Sequence, residues 1–200
     1  MEFQTVTFSP DPITYIAPSW EELQQAAFLL SKQLLDQGKR FDRLITLAKG
    51  GWPLSRSLVD YLNIPEVASI GVKFYQGINT RYDKPVIYQD LPVAVKGERV
   101  LLFDDVADTG ESLVFTRNYL QQQGVADITT ATLFYKPRSK YMPDVFGAQT
   151  ESWIVFPFET VETIKALGKR WKEAGVANSV MLERFQQLGF AESQVVYFLK

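Results

Sequence analysis

Apolar positions along the chain follow two rhythms that take turns. Arg43 to Ala48 (RLITLA), Val67 to Phe74, Val100 to Phe103 and Ile128 to Tyr135 (ITTATLFY) read as strands, and the third, apolar without alternation, as one covered on both faces. Between them the apolar residues recur at helical spacing. Ser19-Trp20-Glu21-Glu22 forms a capping box ahead of Leu23, Ala26, Ala27, Leu30 and Leu34, until Gly38 stops the helix. Pro53 opens a second helix that runs to about Leu62, and Leu113, Phe115, Thr116, Tyr119 and Leu120 mark a third that ends at Gly124. Trp153 to Phe156 (WIVF) reads as a short final strand before Pro157. Strands alternating with helices predict right-handed crossovers, hence an α/β fold with a parallel twisted sheet flanked by helices.

Beyond Thr160 the character changes. Two or three short helices follow (Val161 to Ala174, Val180 to Leu188, Glu192 to Leu199), with enough apolar residues to dock on the sheet or on a partner subunit. A unit of about 40 residues is too small to hold a core alone. The chain is therefore read as a domain over residues 1–159 and a C-terminal helical extension over 160–200. At 46% hydrophobic and 22% charged, the composition suits such a globular protein. The net charge of −2 argues against a nucleic-acid partner. No run approaches the roughly 18 apolar residues of a membrane span, and the N-terminus lacks the build of a signal peptide, so a cytoplasmic protein is expected. Cysteine and histidine are both absent, which removes thiol chemistry and the usual zinc sites. Carboxylates, lysines and a hard cation are left, and Mg²⁺ fits that inventory.

The chemistry concentrates in Val100 to Ser112 (VLLFDDVADTGES). Ligands of open α/β sheets bind outside the carboxyl ends of the strands, which is where Asp104, Asp105, Ala107 and Asp108 fall. Thr109, Gly110, Glu111 and Ser112 then open the third helix, whose first amides lack intrahelical partners and carry partial positive charge suited to a phosphate. An ordinary capped turn accounts for one acid and not for three. Upstream, Lys49-Gly50-Gly51 joins a strand to a helix. Glycine there lets a pyrophosphate approach the backbone, and the lysine offers it a compact cation.

On these residues the chain resembles the type I phosphoribosyltransferases, whose signature is an apolar strand, two adjacent acids, a few variable residues and Thr-Gly. The resemblance implies 5-phosphoribosyl 1-pyrophosphate (PRPP) as substrate. It implies Asp104 and Asp105 on the ribose hydroxyls and Mg²⁺, Ala107 to Ser112 around the 5′-phosphate, and Lys49 and Gly50 in a pyrophosphate loop that often holds a non-proline cis peptide. Glu111 departs from the pattern, since the family more often has Gly, Lys or Ala there. Phe74 to Lys84 occupy the place of the family's mobile hood, which closes over the reacting centre and excludes water.

Lys136 in LFYKP and Trp153-Ile154 in SWIVFP are similar to the base-recognition elements of the 6-oxopurine branch. A 6-oxopurine presents O6 and N7 as acceptors, so a lysine can donate to O6, a Trp ring can stack on the base, and a main-chain carbonyl near Ile154 can accept from N1 or a 2-amino group. Taken singly, Trp153 reads as a core residue and Lys136 as a solvated cation; in this order they read as a purine site. The implied activity is Mg²⁺-dependent transfer of the phosphoribosyl group from PRPP to N9 of a 6-oxopurine, as in purine salvage. Asp108 is the implied catalytic residue, accepting a proton near N7. The implied partners are PRPP, a purine base and a second copy in a homodimer, with no nucleic acid or membrane. Two other readings stand beside it: a non-catalytic PRPP-sensing regulator, and a phosphoribosyltransferase for a pyrimidine or adenine base.

Overall fold

Two three-residue strands, β1 (Thr5–Thr7) and β2 (Thr14–Ile16), precede the first helix, α1 (Trp20–Asp36). Its capping box forms: the Glu22 amide donates to Ser19 Oγ at 3.1 Å, and the Ser19 amide donates to Glu22 Oε2 at 2.7 Å. There follow β3 (Arg43–Ala48), α2 (Trp52–Tyr61), β4 (Glu66–Phe74), β5 (Pro85–Gln89), β6 (Arg99–Ala107), α3 (Glu111–Gln122), β7 (Asp127–Tyr135), β8 (Val145–Gln149) and β9 (Trp153–Ile154). Three helices close the chain, α4 (Thr160–Glu173), α5 (Asn178–Gln187) and α6 (Glu192–Phe198). This computed structural model describes residues 1–74 and 85–199. The segment expected to form the hood, from Tyr75 to Lys84, lies outside the described residues.

The chain forms two compact units, each with its own core. Residues 24–150 make the first. It holds a six-stranded sheet in the order β5-β4-β3-β6-β7-β8, parallel throughout except for β5, which runs antiparallel to β4 at the edge. The expectation of a parallel sheet is thus met by five strands, with an antiparallel edge strand added, a common variation on doubly wound sheets. Leu102 of β6 is paired with Ile45 of β3, and these central strands are buried. From β3 the chain crosses to β4 on one side and returns to lay β6 on the other. The carboxyl ends of β3 and β6 therefore flank the switch point of the sheet, the place where open α/β sheets bind their ligands.

Residues 2–23 and 151–200 make the second unit. Its small sheet, β1-β2-β9, pairs β2 parallel with β9, with Tyr15 opposite Trp153 and Ile16 opposite Ile154. The final strand read as WIVF is two residues long and belongs here rather than to the large sheet. Phe8, Tyr15, Ile164, Leu167, Trp171, Met181 and Phe185 are buried together in a core. The Arg184 guanidinium lies over the Trp171 ring at 5.2 Å and the Phe8 ring at 5.4 Å, and its Nη2 donates to the Ser9 carbonyl at 2.7 Å. The Asp11 side chain is buried at the centre of a polar hub. It accepts from Tyr15 Oη at 2.7 Å, Trp171 Nε1 at 2.9 Å, the Ile13 amide at 3.1 Å and Arg170 Nη2 at 3.1 Å. Among the described residues no helix is long and apolar enough to cross a membrane.

Candidate active site

The turn after β3 and the end of β6 are built against each other. A Cβ added at Gly50 would stand 2.5 Å from Asp105 Oδ2 and 2.6 Å from its Oδ1. At Gly51 it would collide with Thr46 Oγ1 and reach 3.0 Å from the Phe103 carbonyl. Both glycines are therefore required by close approach, and they let the turn press its backbone onto the signature strand. The Ala48–Lys49 peptide is cis. Lys49 itself is exposed.

Asp105 is 7% exposed, whereas Asp104 beside it is half-buried. Burial pushes the Asp105 carboxyl up to about 6, against the lowering effect of a hydrogen bond with Asp104 and of backbone amides. The Val106 amide donates to Asp105 Oδ1 at 2.7 Å. Among the described residues no lysine or arginine forms an ion pair with it. The negative charge is thus held out of water without a protein cation to offset it, an environment that favours a bound metal ion.

Ala107 is buried where β6 ends, and Gly110, at φ +77°, caps α3 without a side-chain hydrogen bond. Thr109 is exposed and Ser112 half-buried at the rim. The Glu111 amide lies 3.3 Å from Thr109 Oγ1. The segment after β7 lies along this loop. The Lys136 amide donates to the Ala107 carbonyl at 3.1 Å and the Lys140 amide to the Thr109 carbonyl at 3.0 Å. A side chain at Gly110 would meet Ser139 Oγ at 2.5 Å and the Tyr141 backbone amide at 3.0 Å. Two ion pairs complete the clasp, Arg138 with Asp108 and Lys140 with Glu111.

Lys49, Gly50, Asp104, Asp105, Ala107, Asp108, Thr109, Gly110, Glu111, Ser112 and Lys136 thus belong to one unit and to the carboxyl-end side of its sheet. Lys136 is 7% exposed, so it is no solvated loop cation. Trp153 and Ile154 lie on β9 in the other unit, where Ile154 is buried and Trp153 is 43% exposed. Trp153 is accordingly no core residue.

A profile of the phosphoribosyl transferase domain matches residues 19–162. The chain belongs to that family. Among its relatives is a xanthine-guanine phosphoribosyltransferase of Idiomarina loihiensis, 30% identical over 143 residues, which cover 70% of this chain and 84% of the relative. A purine phosphoribosyltransferase from Pyrococcus horikoshii has a similar structure, with a TM-score of 0.66 and 34% identity over 72% of this chain and 93% of its own. So has the xanthine-guanine-hypoxanthine phosphoribosyltransferase of Helicobacter pylori, with a TM-score of 0.63 and 25% identity over 74% and 96%.

For a phosphoribosyltransferase site, the sequence reading passed over Arg138 and Lys140. Their only mark in the sequence is the spacing Lys136-Pro137-Arg138-Ser139-Lys140, three cations in five residues at a strand end. Which acids they meet depends on how the loop after β7 folds over the loop after β6.

Proposed function

We propose that this chain transfers the 5-phosphoribosyl group from PRPP to N9 of a 6-oxopurine, releasing pyrophosphate with inversion at the anomeric carbon. The observation that carries the reading is the seating of Gly50 against Asp105, which joins a pyrophosphate turn to a pair of ribose-binding acids at the switch point of the sheet. Bond breaking runs ahead of bond making, so positive charge develops on the ribose and negative charge on the departing group. Asp104 and Asp105 hold the ribose hydroxyls and stabilise the cationic ring. Lys49 and the Gly50 backbone receive the pyrophosphate. Thr109, Gly110 and the amides of Glu111 and Ser112 anchor the 5′-phosphate and fix the donor's register. Asp108 accepts a proton near N7 of the base and raises the nucleophilicity of N9. Lys136 donates to O6, Trp153 stacks on the base, and the Ile154 carbonyl reads its N1 edge.

Asp104 and Asp105 suit Mg²⁺, which takes few protein ligands and shares the rest with substrate phosphates; among the described residues no group of three or more carboxylates forms a ready-made cage. Bound there, the ion would supply positive charge against the pyrophosphate. In this reading residues 1–159 carry the reaction and 160–200 extend them, and the chain works in the cytoplasm as a homodimer. Sedimentation at two chain masses, and activity lost to EDTA and restored by Mg²⁺, check the dimer and the metal.

The direct test is pyrophosphate release from PRPP with hypoxanthine, guanine, xanthine or adenine in turn. Turnover with one or more of the first three supports the reading. Turnover with adenine alone overturns the base assignment, and PRPP binding without product from any base overturns the activity.

A further inference from the structure

Glu111 sets an acid inside the loop that would wrap a dianionic 5′-phosphate, where its charge repels the ligand. The structure gives that acid a fixed partner. Lys140 Nζ donates to Glu111 Oε1 at 2.7 Å. Backbone contacts set where Lys140 sits: its amide donates to the Thr109 carbonyl, and its neighbours Ser139 and Tyr141 lie against Gly110. The lysine is held by the very loop whose charge it offsets. Its side chain is 76% exposed and that of Glu111 39%, so as a surface pair the two contribute little to folding.

We infer that Lys140 is a determinant of PRPP affinity, acting through Glu111. It neutralises the one acid in the phosphate loop that the family pattern lacks, so that the loop presents its amides to the phosphate without an opposing charge. The departure at Glu111 and the cation at Lys140 form a matched pair, and removing the cation alone is worse than removing both. The inference rests on residues 108–112 being the 5′-phosphate loop.

The experiment measures pyrophosphate release against PRPP concentration for the full chain and for Lys140→Ala, Lys140→Arg, Glu111→Gln and the Lys140→Ala/Glu111→Gln double variant. In Lys140→Ala the KM for PRPP should rise about fivefold with kcat held, and the rise should shrink as salt is increased. Lys140→Arg should restore most of the affinity, and the double variant should lose most of the increase seen in Lys140→Ala. A merely structural role for Lys140 would not be rescued by Glu111→Gln. An unchanged KM in Lys140→Ala, or a double variant as weak as Lys140→Ala, overturns the inference while leaving the phosphate-loop reading in force. A parent chain with no saturable response to PRPP overturns both.

Discussion

Arg138 holds Asp108 by a single oxygen: Nε and Nη2 both donate to Oδ1, at 2.8 and 2.5 Å. Among the described residues Oδ2 receives no protein donor, and in the proposed mechanism it is the atom that takes the proton from the base. A guanidinium that grips one oxygen fixes the rotation of the carboxylate and so orients the other. Arg138→Ala should therefore lower kcat roughly tenfold and leave the KM for PRPP close to that of the parent, whereas Asp108→Asn should cost about 10² to 10⁴ in kcat. In a double-mutant cycle the Arg138 effect should vanish once Asp108 is Asn. Equal effects on both backgrounds would remove Arg138 from any role through that acid.

Gly50→Ala should cripple the site without unfolding the chain. The new methyl would sit 2.5 to 2.6 Å from the Asp105 carboxylate, so the turn or the acid has to move. A displacement of about 1 Å at a reacting centre costs on the order of 10²-fold in rate. The stability cost of such overpacking is about 1 to 3 kcal/mol. Steady-state kinetics beside a urea melt will separate the two, and near-normal kcat/KM would show that the contact does not matter.

Lys136→Gln should blur the choice of base. Lys136 is buried, and in the proposed site it donates to O6, which favours a 6-oxo group over a 6-amino group, so the ratio of kcat/KM for hypoxanthine over adenine should fall at least tenfold, with the KM for PRPP little changed. Trp153→Ala should instead raise the KM for every purine alike. A Gln variant with undiminished preference would reassign the recognition of O6.

Asp11 should make the second unit sensitive to acid. Burial raises its pKa, but the hydrogen bonds from Tyr15, Arg170, Trp171 and the Ile13 amide outweigh it, and the carboxyl is held well below the usual carboxylate range. For a group whose folded pKa is depressed, the stabilisation is fully present above the unfolded value near 4 and is lost as the pH falls through the folded value. Asp11→Asn should therefore cost about 3 kcal/mol at neutral pH, and the gap to the parent should narrow steadily below about pH 4. Urea melts across that range check it; a gap that is constant with pH would mean the charge contributes nothing.

What the sequence disclosed depended on how local the cause was. The α1 capping box, β3 with its glycine turn and the acid-rich end of β6 are set by residues within a few positions of one another, and each forms where the pattern puts it. β1, β2 and β8 are three to five residues long and hold no periodicity that a reader could use; pairing with a neighbouring strand, and for β2 also with β9 far along the chain, makes them strands. The Trp153–Ile154 strand is the clearest case, because its sheet is decided by residues 14–16 at the other end of the chain. Likewise the donors to Asp11 include Arg170 and Trp171, some 160 positions away. Within the candidate site, the acids and glycines were legible from their spacing. The cations that meet them, Arg138 and Lys140, were not, since their partners lie about 30 residues away across the gap between two loops.

A unit assembled from residues 2–23 and 151–200 has a consequence for biosynthesis. Residues 24–150 are translated before α4, α5 and α6, so the large sheet is complete in sequence before the small unit has its second half. Until those last helices emerge, Phe8 and Tyr15 have no Trp171 or Phe185 to cover them, and the nascent N-terminus stays sticky throughout most of synthesis. Truncations that remove residues 160–200 would therefore be felt at residues 2–23.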